Sequence, residues 1–147
     1  MPLPRLRRLT LWVGTLLLLG FLLIQLKQPE RTNPPVVSEI HAPPEVAAIL
    51  ERSCYPCHSH ETEWPWYSHV MPISWFVIDH VDEGRRDLNF SDWPLLDFEE
   101  IELALTDIDE QIANDEMPLP SYLLLHPSAR LSDEDKETLR EWAQRGG

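Results

Sequence analysis

Three features of the 147-residue chain predict an all-α protein in which one apolar helix precedes a small helical domain. Leu9 to Leu26 runs for 18 residues without a charge and is dominated by Leu. After position 32 the only internal glycine is Gly84, whereas a sandwich or barrel of short strands needs glycine-bearing turns at regular spacing. Four later stretches repeat their apolar residues with the period of a helix.

The charge is divided unevenly between these parts. The chain holds 12 Lys and Arg against 25 Asp and Glu, a formal net charge of −13. Residues 1–31 carry five of the cations and one of the acids, a local +4, which leaves −17 for residues 32–147. So acidic a surface repels a phosphate backbone, which argues against nucleic-acid binding. With 43% hydrophobic residues the chain has enough apolar material for one modest core, and an acidic disordered chain is excluded.

Residues 1–8 read as a cytoplasmic N-terminus and 9–26 as a transmembrane anchor. As a helix, 18 residues span about 27 Å, close to the ~30 Å hydrocarbon core of a bilayer. Arg5, Arg7 and Arg8 precede the run, so the positive-inside rule sends everything after Lys27 outward. The alternative is a cleaved signal peptide, whose apolar region is shorter, ~7–15 residues, and ends at a small-residue site. Gln-Leu-Lys-Gln-Pro-Glu after Ile24 has no such pattern, and an uncleaved anchor is expected. Residues 27–44 contain Pro29, Pro34, Pro35, Pro43 and Pro44 and predict an extended, semi-rigid linker. Residues 45–147 form the exported domain.

Its first helix follows Pro44, with Val46, Ile49, Leu50, Ser53 and Cys54 on one face. The second covers Ile73 to Leu88, with Val77, His80, Val81, Gly84 and Leu88 in a stripe. The third covers Phe98 to Ala113, aligning Phe98, Ile101, Leu105, Ile108 and Ile112, with Asp97 and Glu100 spaced as a capping box. The fourth starts at the N-cap Ser132, and Asp133, Glu134 and Asp135 suit the positive end of its dipole. Leu139 and Trp142 mark its buried side. Trp64 to Pro72 and Met117 to Pro127 read as loops fixed by prolines.

The chemistry concentrates at Cys54-Tyr-Pro-Cys57-His58, the C-x-x-C-H pattern of covalent c-type haem attachment. Two thiols three residues apart on one turn can each form a thioether with a haem vinyl group, and the adjacent His58 projects toward the iron. Pro56 starts the turn carrying Cys57 and His58. Three other chemistries share the pattern. A thiol–disulfide enzyme uses C-x-x-C, normally in a βαβ context that this sequence lacks. Structural zinc would need two of His58, His60 and His69 at an unfamiliar spacing. A disulfide across so short a loop would be strained.

Cys54 to His58, Glu61-Thr-Glu-Trp64-Pro-Trp66-Tyr67, Pro72-Ile-Ser-Trp75, His80 with Gly84-Arg85, Leu88-Asn-Phe-Ser-Asp-Trp93, Met117-Pro118 with Tyr122, and His126-Pro127 together resemble the small haem-binding domain family of cytochrome c type. The resemblance extends from about Val46 to Trp142. It implies one covalent haem c, held by Cys54 and Cys57 with His58 as proximal ligand, inside a cytochrome c-like helical domain.

The second axial ligand is not given by the pentapeptide. Met117 is the favoured candidate, because it lies in a proline-bearing loop just before the last helix, an order similar to small class I cytochromes c. His80, on the apolar stripe of the second helix, is the rival. Met71 is too close in sequence to His58 to cross a haem, and His69 and His126 are lesser candidates. Trp64, Trp66 and Tyr67 are expected to pack against the cofactor, and Arg85 is a candidate partner for a propionate. The expected role is one-electron transfer at the outer, periplasmic face of a bacterial cytoplasmic membrane, with redox protein partners that present a basic patch and without enzymatic catalysis. A haem-based sensor or peroxidase-like module with an open sixth site is the alternative, and a membrane-anchored thiol–disulfide oxidoreductase a third.

Overall fold

The computed structural model describes residues 3–37 and 40–147, and every regular element among them is helical. In chain order these are α1 (Leu3–Ile24), α2 (Pro44–Ser53), α3 (Tyr55–His58), α4 (Ile73–Asp87), α5 (Phe98–Ala113), α6 (Pro120–Leu123) and α7 (Asp133–Gln144). A short 3₁₀ turn at Trp66–His69 and α6 fall within the two stretches read as proline-fixed loops, and further 3₁₀ turns lie at Trp93–Leu95 and Pro127–Ala129. The chain forms two compact units. One joins Met1–Arg31 to Trp64–Asp79, and the other joins Thr32–Glu63 to His80–Gly147. The division therefore differs from a simple order of anchor, linker and domain.

In the smaller unit, Arg5–Ile24 is long and apolar enough to cross a membrane, with mean hydropathy 1.7 and none of it buried. The helix starts before the uncharged run and takes in Arg5, Arg7 and Arg8, while Leu26 falls in the turn beyond its end. Residue 25 explains why a distant segment joins this unit. The Gln25 side-chain amide pairs with the Met71 backbone both ways, Nε2 donating to the carbonyl at 3.1 Å and Oε1 accepting from the N–H at 2.9 Å. Arg31 donates to the Ser68 carbonyl at 2.9 Å, and Ser68, Met71 and Ser74 are fully buried.

The larger unit is organised by α5 and α7, which run antiparallel. Lys136 pairs with Asp115, Arg140 Nε donates to Asp109 at 2.6 Å, and Gly147 lies against Leu105. Leu105, Ile108 and Ile112 of α5 meet Leu139, Trp142 and Ala143 of α7, and Val46, Ile49 and Leu50 of α2 complete the core. Truncating Leu50 or Leu139, both fully buried, to Ala would cost about 2–5 kcal/mol. A row of rings crosses this core: Tyr55 to Phe90 at 5.4 Å, Phe90 to Trp93 at 5.9 Å, Trp93 to Trp142 at 6.3 Å. Both expected N-caps form reciprocal capping boxes, Asp97 with Glu100 and Ser132 with Asp135.

Two helical faces differ from the sequence pattern. Phe98, aligned with the α5 stripe, is 77% exposed. Gly147, just beyond α7, draws level with Leu105, and Phe98 lies about 10 Å further along the axis. On α4 the buried positions are Ser74, Ile78, Val81 and Gly84, which turns Val77 and His80 to the flank. The linker is extended but not free. Asn33 Nδ2 donates to the Thr62 carbonyl at 2.9 Å, and the Pro35 carbonyl lies 3.3 Å from His60 Nδ1.

Candidate functional site

The pentapeptide occupies a break between two helices. α2 ends at Cys54, and α3 restarts at Tyr55 with Pro56 in its first turn, where a missing N–H costs nothing. Cys57 and His58 both donate backbone N–H bonds to the Cys54 carbonyl, at 3.1 and 2.9 Å. Beyond the turn, Ser59 Oγ donates to the Tyr55 carbonyl at 2.8 Å, Phe90 N–H to the His58 carbonyl at 2.8 Å, and His60 N–H to Ser91 Oγ at 2.8 Å. The turn is thus fastened to the 88–91 segment by backbone and hydroxyl bonds.

His58 is oriented by the same segment. Its Nδ1 lies 3.1 Å from the Leu88 carbonyl, and a carbonyl only accepts, so Nδ1 carries the proton and Nε2 is left as the ligating nitrogen. Burial pulls the imidazole pKa below its ordinary value against the Leu88 and Gly84 carbonyls and Asp87, which favours the neutral form a metal needs. Gly84 explains how α4 comes so close. A Cβ there would stand 2.9 Å from the Cys57 carbonyl oxygen and 3.4 Å from His58 Cε1. Its signal in the sequence is its being the one internal glycine after position 32.

Cys54 and His58 open onto a cleft of about 390 Å³, within the ~300–1,000 Å³ of small-molecule and cofactor sites. Leu50, Phe90, Ile108, Ile112, Leu131 and Leu139 make its walls apolar, and Met117 lines it too. Met117 arrives there through a Schellman turn at the end of α5. Asp115 takes the left-handed conformation at φ 57°, its N–H reaching the Ile112 carbonyl at 3.3 Å and the next N–H reaching Gln111 at 3.0 Å. Nothing in the hydrophobic pattern foretold this cap, since Asp rather than Gly fills the left-handed position.

The thiols are free cysteines. Burial pushes the Cys54 thiol up to about 12, with Cys57 adding to the shift and Arg52 opposing it. Burial raises Cys57 as well, against Arg85. A redox C-x-x-C works through a lowered thiol pKa, so these environments are the opposite of what a thiol–disulfide enzyme requires. Among the described residues no group of three or more His, Cys, Asp or Glu side chains is placed to hold a metal ion.

The donor set suits a haem: a histidine with a fixed tautomer, a thioether, a thiol and an apolar wall share one cleft. Cys57 is on the same turn but is not among the lining residues. Other expected contacts fall elsewhere. Trp64, Trp66 and Tyr67 belong to the smaller unit and do not line the cleft; Trp66 stacks edge-on to Tyr67 and is 77% exposed. His80 does not line it either, because the inward face of α4 runs through Val81 and Gly84. Met71 is buried in the smaller unit against Gln25. His126 stacks on Tyr122 at 4.1 Å.

Arg85 is engaged by the chain itself. Its guanidinium donates to the Ser59 carbonyl at 2.7 Å, the Thr32 carbonyl at 2.8 Å, and Asn33 Oδ1 and Thr62 Oγ1 at 2.9 Å each. It therefore fastens the linker and the post-pentapeptide loop to α4. Among the described residues no Lys or Arg lines the cleft, whose acidic members are Asp87 and Asp107.

Fold and site together define a small helical domain with a histidine- and thiol-bearing cofactor cleft. The model of the family described as "Haem-binding domain" matches residues 15–145, nearly the whole chain, and the protein belongs to that family and binds haem. No curated protein and no solved structure matches the chain.

Proposed function

We propose that the protein is a membrane-anchored monohaem c-type cytochrome that carries single electrons at the outer face of the cytoplasmic membrane. The observation that supports this best is the meeting of Cys54, His58 and Met117 on one apolar cleft, with His58 held by the Leu88 carbonyl. When bound, the haem supplies one-electron exchange at its iron. Cys54 and Cys57 provide the thiols for covalent attachment, and His58 Nε2 the proximal nitrogen, made more basic by the Nδ1–H bond to Leu88. Met117 would offer the iron a thioether, a ligand that raises a haem potential relative to two histidines. The apolar lining keeps water from the ligands.

The three arginines before the apolar run orient the anchor, with the larger unit outside, in the periplasm of a bacterium. The −17 balance of residues 32–147 suits redox partners with a basic patch, whose association slows as salt rises. Expression with a c-haem maturation system tests the assignment. The expected product is red, gains the mass of one haem, gives a c-type pyridine haemochrome and keeps its haem through acid–acetone extraction. Extractable haem, or two thiols still titratable in the loaded chain, would overturn covalent attachment.

A further inference from the structure

We propose that Trp66, Ile73, Trp75 and Phe76 form a collar seated in the headgroup layer of the lipid bilayer where α1 leaves it; this rests on reading α1 as a membrane span. All four belong to the unit that contains α1 and are 77%, 47%, 54% and 53% exposed, an unusual amount of apolar surface, most of it aromatic, for so short a segment. They are tied to the end of the apolar helix. Gln25, the residue after its last turn, pairs both ways with the Met71 backbone, and Ser74 Oγ donates to Gln28 Oε1 at 3.4 Å. Ile73 is two residues from Met71, at most about 7 Å of chain. The polar layer on each side of a bilayer core is about 5–8 Å deep.

The exposed face of α4 supports the same depth. Its first turn presents Ile73, Trp75 and Phe76, while the exposed positions that follow are Asp79, Asp82, Glu83, Arg86 and Asp87. The helix thus changes from apolar to charged over one turn, as a segment does on leaving an interface. Trp rings, with an apolar body and one N–H, favour that layer, and exposed Lys27 beside them suits anionic headgroups.

Hydroxyl-radical footprinting of the full chain tests this, with one copy per nanodisc of phosphatidylcholine and phosphatidylglycerol. Each residue's oxidation rate is normalised to that in the urea-unfolded chain. Trp66 and Trp75 are expected to be oxidised several-fold more slowly than Phe98, which is as exposed as Trp66 at 77%, and Trp12 within the apolar helix should be protected too. If Trp12 is protected while Trp66 and Trp75 react as fast as Phe98, the collar is refuted, the span stands, and the patch is left to a protein partner. If Trp12 itself reacts at the exposed rate, the span fails and the collar with it.

Discussion

Replacing Gly84 by Ala probes the contact on which the site is built. In an ordinary helix interior this change stabilises by about 0.8–1 kcal/mol, because Ala loses less backbone entropy. Here the added methyl meets the Cys57 carbonyl oxygen at 2.9 Å, its carbon at 3.4 Å and His58 Cε1 at 3.4 Å. Two of those atoms are backbone, in a turn closed by its own hydrogen bonds, and cannot swing aside as a side-chain end would. Relief requires α4 to retreat from α3, and such overpacking costs about 1–3 kcal/mol. The propensity gain offsets part of this, leaving a net loss of about 1 kcal/mol. In a unit of roughly 100 residues that lowers Tm by about 4–8 °C. Thermal unfolding of the haem-loaded chain by circular dichroism reads the stability, and the pyridine haemochrome per chain reads attachment, which should fall as His58 is displaced. A Tm that rises by several degrees at full haem content would mean that α4 does not press on the Cys57–His58 turn.

Met117→Ala should change the ferric low-spin optical and EPR spectra and let the reduced protein bind carbon monoxide, while His80→Ala leaves both unaltered; the reverse pattern would transfer the ligand to His80. Arg85→Ala removes hydrogen bonds to Ser59, Thr32, Asn33 and Thr62 and should cost about 2–3 kcal/mol, with faster proteolysis within residues 32–37. Arg85→Lys should recover less than half, since an ammonium cannot fork to several acceptors; an unchanged cleavage rate in Arg85→Ala would show that the strut holds nothing. Acid should loosen α7. The Arg140 hydrogen bond holds Asp109 below its ordinary value of 3.8, aided by Gln144 and opposed by burial. For Asp135 burial works upward but is outweighed by Ser132 and Arg52, leaving it below 3.8 as well. A depressed folded pKa contributes stability that is complete above the ordinary value and lost as pH falls through the folded one. Tm should therefore hold down to about pH 5 and decline below pH 4, and the Asp109→Asn, Asp135→Asn double variant should show a shallower decline; an equal slope would refute the assignment.

The all-helical class, both N-caps and the pentapeptide turn were legible in the sequence, because each depends on residues within one or two turns of one another. Asp97 reaches Glu100, Ser132 reaches Asp135, and Cys54 closes on His58 by local hydrogen bonds. The apolar N-terminal helix is legible for the same reason, since length and hydropathy are properties of one continuous run. Met117 was picked from its place in the chain order, and its place on the cleft that His58 also lines comes from a left-handed Asp115 that no periodicity records.

What only the tertiary structure decided is which side chains are claimed by something far away. Arg85 looks like a spare cation until its four acceptors on two other segments are seen, and Met71, set aside as a ligand for its closeness to His58, proves to be fully buried with Gln25 on its backbone. Phe98 reads as core yet is 77% exposed, and Trp64, Trp66 and Tyr67, read as cofactor contacts, group with α1 in the smaller unit. The physical reason is common to all four. Hydrogen bonding and burial are pairwise, so a residue's own chemistry sets what it can do, and the partner that the fold brings to it sets what it does.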